Sequence, residues 1–207
     1  MTTLGPKLFE RLNVEQHVGN QQPVRYGVSG LSSARFAAIE DQLGLRLPED
    51  FVYLFGNLQD PGGVLFPWAD FKKSTYDDLI DWVWDGIAFD IEHGAWLDRW
   101  GARSNDLPEA LAVARADFAT WPRLLPVCGH RFLAAEPLRT GNPIFSIKQL
   151  DIIYYGADLA HYLAVEFLLE DHAQHTQDQS IQRVAIWSDF AEGVYQPYLR
   201  SPLSCLR

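Results

Sequence analysis

Cysteine is almost absent from this chain of 207 residues. The two cysteines, Cys128 and Cys205, stand far apart and form no Cys-X-X-Cys pair, which excludes a disulfide framework of the secreted kind. No uncharged apolar stretch approaches the roughly 20 residues that a membrane-spanning helix needs. The first residues also lack the charged and apolar regions of a secretory signal, so we expect a cytoplasmic protein.

Basic residues are also few. Lys and Arg number 17 against 27 Asp and Glu, which leaves a formal net charge of −10. Nucleic acids and anionic membranes attract positive charge, so the sequence predicts neither of them as a partner. The sequence contains no phosphate-binding loop, nucleophile elbow, zinc-protease motif or dinucleotide fingerprint. We therefore predict a protein that is not an enzyme and that carries no cofactor or metal.

Apolar residues at helical spacing predict two helices after a polar link. A cap at Ser32 or Ser33 begins the first helix, and Gly44 ends it because glycine readily adopts the left-handed conformation. Pro48 lies in the first turn of the second helix, where proline is favourable. The two apolar faces consist of Phe36, Ile39 and Leu43, and of Phe51, Leu54, Phe55 and Leu58.

In the middle of the chain the sequence predicts a mixture of short helices and strands. Residues 64–68 are typical of a strand, and residues 75–85 of a helix with Thr75 and Asp78 at the spacing of a capping box. Gly86 separates this helix from an alternating segment, residues 87–92, that predicts another strand. Further helices are predicted from Asp106 to Phe118 and from Asp158 to about Glu170.

Four apolar runs follow one another between the last two helices, at residues 124–127, 131–134, 144–147 and 152–155. Their links are too short for parallel crossovers, so neighbouring strands must be antiparallel. The fold class is therefore α+β, with a single mostly antiparallel sheet of about five or six strands packed against helices. We predict one domain over residues 1–207. It comprises a core at about 32–170, an N-terminal helix at 4–18 and a C-terminal extension at 171–207.

Residues 39–51 combine a helix, a glycine and a Leu-Pro pair before the second helix, and a Gly-Gly pair follows at 62–63. This pattern resembles the opening of the SUKH superfamily, which includes fungal cell-wall-assembly regulators and many bacterial immunity proteins. Segments 125–127 and 152–155 are similar too, so the resemblance covers about residues 32–170. It implies a sheet backed by helices, no shared catalytic machinery, and a protein that binds and neutralises a cognate toxin. The matching positions that would hold the fold are Leu43, Gly44, Leu47, Pro48 and Phe51.

Negative charge is concentrated in residues 74–98, which contain seven acidic residues, three tryptophans and no Lys or Arg. The helix dipole favours acidic residues in a first turn, but Asp81 and Asp85 lie too late in the helix for that, beside other acidic residues. An anionic surface edged with tryptophan suits a basic protein, because charge steers the encounter and aromatic side chains anchor it. A solvated face without a partner is the alternative. The predicted partner-binding residues are Asp81, Asp85, Asp90, Glu92, Trp82, Trp84 and Trp96.

Two other functions fit the same residues. The protein would be a regulatory scaffold if it bound several protein partners rather than one toxin. It would be a metal-assisted hydrolase if Asp90 and Glu92, two apart on a strand, shared a face beside His93. Paired carboxylates of that kind hold divalent metals and transfer protons.

Overall fold

The structure is a computed structural model, and it describes residues 25–26, 28–60, 62–168 and 180–195. Helices α1 to α6 span Ser33–Leu43, Glu49–Gly56, Lys73–Glu92, Leu107–Phe118, Leu159–Leu168 and Trp187–Ala191. Strands β1 to β6 span Arg25–Tyr26, Leu58–Gln59, Leu124–Cys128, Arg131–Ala134, Ile144–Lys148 and Asp151–Gly156. Short 3-10 helices cover Trp68–Asp70 and Asp98–Trp100. The predicted helix at 4–18 lies outside the described residues.

Strands β3 to β6 form a four-stranded antiparallel meander, in the order of the sequence. This confirms the α+β class and the pairing expected from the short links. The sheet has four strands rather than five or six, because β1 and β2 pair only with each other and form a separate two-stranded ribbon. Among the helices of the described ranges, none has the length and apolarity required to cross a bilayer.

The two faces of the sheet bury two apolar clusters, because successive side chains of a strand point to opposite faces. On β4, Leu133 belongs to the first cluster, whereas Phe132 and Ala134 belong to the second. Helices α1, α2 and α5 contribute to the first cluster and α4 and α6 to the second. Helix α3 contributes Tyr76 to the first cluster and most of its buried face to the second. The protein therefore has three layers, with helices on both faces of the sheet.

Helix α1 follows the sequence prediction, whereas α2 is shorter than predicted, because it ends at Gly56 and Leu58 lies in β2. Ser32 caps α1 by accepting a hydrogen bond from the Arg35 N–H, and Gly44 ends α1 with φ of 61°. Pro48 immediately precedes α2, which buries Phe51 on the sheet side. The local capping and stop residues were sufficient to place α1.

Helix α3 corrects the prediction for residues 75–92. A single helix of 20 residues replaces the predicted helix, break and strand, and it begins at Lys73 without the side-chain cap expected from Thr75 and Asp78. Gly86 lies inside α3, at the point where the helix passes close to the β5–β6 turn. A Cβ at this position would lie 3.1 Å from the Gln149 Cα. Ile87 and Ile91 continue the buried stripe of the first half.

Residues 64–68 also differ from the prediction, since they form a loop rather than a strand. The Leu65 N–H donates to the Asp60 side chain, and the Phe66 N–H donates to the Val127 carbonyl. Trp68 then begins a 3-10 helix. In residues 64–68, Leu65 and Trp68 are buried and Val64 and Phe66 are partly buried, so packing against the core explains an apolar run that resembles a short strand.

Part of the predicted C-terminal extension belongs to the core. Trp187 of α6 donates its indole N–H to the Pro122 carbonyl at 2.7 Å and packs edge-on against Trp121, with ring centroids 5.1 Å apart. Phe190 is buried beside them. Residues 180–195 thus complete the second cluster.

Candidate docking surface

The solvent face of α3 alternates acidic and aromatic side chains. It carries Asp78, Trp82, Asp85, Phe89 and Glu92, all of which are exposed. At 3.6 residues per turn these five positions fall within a sector of about 80°. Trp82 is 45% and Phe89 is 47% exposed, so about half of each side chain is in contact with water. We call these five residues the ridge.

The buried face of α3 determines which residues form the ridge. Tyr76, Val83, Ile87 and Ile91 are buried against the sheet and its neighbours. The Tyr76 hydroxyl donates to the Leu124 carbonyl at 3.0 Å, which ties the start of α3 to β3. Because these contacts fix the rotation of the helix, the opposite side faces solvent along its whole length.

Asp90 lies off the ridge and has a structural role. Its Oδ2 accepts a hydrogen bond from the Leu150 N–H at 2.8 Å, which joins the end of α3 to the β5–β6 turn. Burial raises the pKa of Asp90, and the nearby Asp151 adds to this rise. The Leu150 N–H and His93 oppose it. The sequence predicted that Asp90 lies on a strand and binds a partner. The structure places it on a helix, where its carboxylate accepts from a backbone N–H of the protein itself.

Asp81 and Trp84 lie at the border between α3 and α4. Asp81 forms an ion pair with Arg115 of α4, with an N–O distance of 2.8 Å. The Arg115 guanidinium also lies 4.9 Å from the centre of the Trp84 ring and 5.5 Å from that of Phe118. Both residues therefore hold the two helices together, and the charge of Asp81 is compensated within the protein.

The ridge itself keeps its negative charge. Asp77, at the start of α3, pairs with Lys73 one turn earlier. Among the ion pairs formed by the described residues, none involves Asp78, Asp85 or Glu92. Three carboxylates along one helix face are thus exposed and have no ion-pair partner in the part of the chain that the structure describes.

Trp96 lies in the loop beyond α3 and is partly buried. Its indole N–H donates to the Gly101 carbonyl at 2.7 Å, and its ring packs edge-on against Trp100, with centroids 4.9 Å apart. The Arg103 guanidinium lies 5.9 Å from the Trp96 ring centre. These contacts make Trp96 part of the loop's own packing rather than of the ridge.

Phe89 is the ridge residue that the sequence prediction missed. Assigning residues 87–92 to a strand placed Phe89 among alternating positions, away from Trp82. On a helix the two rings are seven residues apart and share a face. His93 extends the aromatic side, because its ring centroid lies 4.0 Å from that of Phe89. The helical spacing from Trp82 was the signal that could have revealed Phe89.

The residues of the hydrolase hypothesis do not come together. Asp90 and Glu92 lie on a helix, so their side chains are about 160° apart rather than on one face. Asp90 accepts from the Leu150 N–H, while Glu92 is exposed on the ridge. Within the ranges that the structure describes, no group of three His, Cys, Asp or Glu residues is arranged to hold a metal ion.

Compared with protein-family models, curated proteins and solved structures, the chain has no match. The resemblance to the SUKH superfamily therefore stays a prediction drawn from the residues quoted above. The geometry of the surface carries the functional argument.

Proposed function

We propose that this chain is a non-catalytic binding protein that binds a basic protein through the ridge on α3. In the immunity-type role implied by the resemblance, this partner is a toxin domain that the chain neutralises in the cytoplasm. The single observation that carries the proposal is the alternation of exposed aromatic rings with three uncompensated carboxylates.

The acidic residues of the ridge would act mainly before contact. Their negative potential raises the rate at which a cationic partner arrives, and salt screens this effect beyond about 10 Å. Once the partner is bound, Asp85 and Glu92 offer carboxylates to its Lys or Arg side chains. Exposed pairs of this kind contribute little individually, so they favour a fast encounter more than a tight complex.

The aromatic residues would supply most of the affinity. Trp82 and Phe89 expose about half of their surface, and burying such rings in an interface gives large contributions to binding. Trp82 also accepts a cation over its ring face, which matches a partner rich in Arg or Lys. The partner expected from the ridge therefore presents basic side chains interleaved with apolar contact area.

The test compares a charge-reversed ridge with a charge-matched control. Asp85→Lys/Glu92→Lys reverses two ridge residues, whereas Asp41→Lys/Glu49→Lys makes the same change in net charge at exposed sites on α1 and α2. The protein captured by the wild type is identified and purified, and its association and dissociation rates are measured at 50 mM and 300 mM salt. Thermal unfolding of each variant verifies that it is folded.

We expect one basic partner. Its association rate should fall at least tenfold with the ridge variant and stay within twofold with the control. Trp82→Ala and Phe89→Ala should instead raise the dissociation rate. Equal binding by the ridge variant would overturn the assignment of the surface. Capture of several unrelated partners through the ridge would favour a scaffold over an immunity-type protein.

A further inference from the structure

A cavity of about 640 Å³ lies between α1, the end of α2 and the loop that precedes α3. It lies on the side of the sheet that buries the first apolar cluster, away from the ridge. Its volume lies within the range of about 300–1,000 Å³ that is typical of sites for small molecules. The residues that matter for its chemistry are Arg35, Phe55, Asp60, Phe66, Trp68 and Ala69.

One wall of the cavity depends on a close backbone approach at Gly30. The Gly30 N–H donates to the Gly56 carbonyl, and the Leu31 N–H donates to the Phe55 carbonyl. A Cβ on Gly30 would lie 2.2 Å from the Phe55 carbonyl oxygen, so only glycine fits. The wall is therefore held by backbone bonds in a fixed position beside α2.

The apolar side of the cavity is preorganised by aromatic packing. The Trp68 ring lies 4.7 Å from Phe66 and 6.4 Å from Phe55, measured between centroids. The Trp68 indole N–H is already used, since it donates to the Pro126 carbonyl at 3.0 Å. Trp68 is almost completely buried, so its position does not depend on a ligand.

Three charged side chains line the cavity, namely Arg35, Asp60 and Asp70. Arg35 and Asp60 each have one buried polar atom without a partner among the described residues. Arg35 donates from Nη2 to the Phe71 carbonyl at 3.1 Å, but its Nε has no hydrogen-bond partner among the described residues. Asp60 accepts from the Leu65 N–H at 2.6 Å through Oδ2, while its Oδ1 likewise has none there. Both side chains are partly exposed where they line the cavity, so their accessible atoms have hydrogen-bonding capacity left for a ligand.

We propose that this cavity binds a small apolar zwitterion, of the class of aromatic α-amino acids and apolar dipeptides. The ligand carboxylate would pair with the Arg35 guanidinium and its ammonium group with the Asp60 carboxylate. Its apolar body would pack against the partly exposed Phe66, which the buried Trp68 supports from the side of the core. A ligand with only one charge would leave either Arg35 or Asp60 uncompensated. This proposal is independent of the ridge and of its protein partner.

The test uses isothermal titration of the full chain with L-phenylalanine and with the dipeptide L-phenylalanyl-L-leucine. Phenethylamine, which lacks the carboxylate, and 3-phenylpropionate, which lacks the ammonium group, are the single-charge probes. At least one zwitterion should bind ten times more tightly than both single-charge probes. Equal binding of a single-charge probe, or no binding by either zwitterion, would overturn the proposal.

Variants then assign the binding to the cavity. Arg35→Gln and Asp60→Asn should each weaken binding of the zwitterion at least tenfold, while Lys148→Gln and Asp41→Asn, at exposed positions elsewhere, should leave it unchanged. Equal losses in these controls would contradict the assignment.

Ala69→Trp provides a variant that does not alter a charge. Ala69 is exposed where it lines the cavity, so an indole there should fill the space without disturbing the core. It should abolish binding while the melting temperature stays within 2 °C of the wild type, and unchanged binding would refute the site. Asp85→Lys/Glu92→Lys should bind the zwitterion normally, so the two proposals can fail separately.

Discussion

The ridge on α3 and the cavity beside α1 lie in different layers of the molecule and hold their charges in different ways. On the ridge, Asp85 and Glu92 are exposed to water, so their charges cost little to maintain. At the cavity, Arg35 and Asp60 each have a buried polar atom without a partner among the described residues. Each such atom costs about 1–3 kcal/mol.

This difference separates two kinds of recognition. Exposed charges act over a distance, and salt weakens them, so the ridge suits the encounter with a large partner. Buried charges act at contact and are screened much less, so the cavity suits a ligand that fits both of them. Binding at the ridge should therefore depend strongly on ionic strength, whereas binding in the cavity should depend on it weakly.

The largest expected effect comes from comparing a glycine beside the cavity, Gly30, with a glycine inside α3, Gly86. Gly30→Ala places a Cβ against two backbone carbonyls, at 2.2 Å and 2.6 Å, and should lower the free energy of unfolding by about 3 kcal/mol. Gly86→Ala in α3 should change it by less than about 1 kcal/mol, because better helix propensity offsets a 3.1 Å contact with Gln149. Urea unfolding followed by tryptophan fluorescence measures both. Similar losses in the two variants would contradict the rigid wall assigned to Gly30.

The second prediction compares two aspartates of α3. Asp90→Ala leaves the Leu150 N–H without its acceptor and should cost about 1–3 kcal/mol. Asp85→Ala removes an exposed carboxylate and should change stability by no more than about 0.5 kcal/mol. The same urea experiment measures the difference. If Asp85→Ala were the more damaging variant, the ridge would be a structural element rather than a free surface.

The third prediction concerns pH. Burial raises the pKa of Asp90 above its ordinary value of 3.8, so the folded state binds more protons than the unfolded state just above that pH. The contribution of Asp90 to stability is therefore greatest below pH 3.8 and decreases as the pH rises through its raised pKa. Asp90→Asn keeps an acceptor but cannot ionise, so its stability relative to wild type should be higher at pH 7 than at pH 3.5. The opposite trend in urea unfolding would show that the Leu150 N–H outweighs burial.

The smallest effect is expected at the border of the ridge. The side chains of Asp81 and Arg115 are 59% and 43% exposed, so a double-mutant cycle with Asp81→Asn and Arg115→Met should give a coupling of about 0.2–1 kcal/mol. Arg115→Met alone should cost more than Asp81→Asn, because it also removes the guanidinium from Trp84 and Phe118. A coupling above about 2 kcal/mol would mean that this pair is a major link between α3 and α4.

The elements that the sequence predicted well are those with local signals. Helix α1 has a cap at Ser32 and a stop at Gly44, and the meander has links that permit only antiparallel neighbours. Gly86 misled the prediction because a glycine in the middle of a helix is locally unfavourable. The reason for that glycine is the backbone of Gln149, which is distant in sequence. The error at Gly86 also hid Phe89 and placed Asp90 on the wrong surface.

The sequence by itself determined the α+β class, the excess of negative charge and its concentration around α3. These follow from composition and from spacing along the chain, which no folding changes. Only the tertiary structure decided which carboxylates remain free. Asp81 meets Arg115 from another helix, and Asp90 meets the Leu150 N–H, 60 residues later. The cavity also depends on the tertiary structure, since Arg35 and Asp60 line one site only when α1 and the loop before α3 pack on the same core.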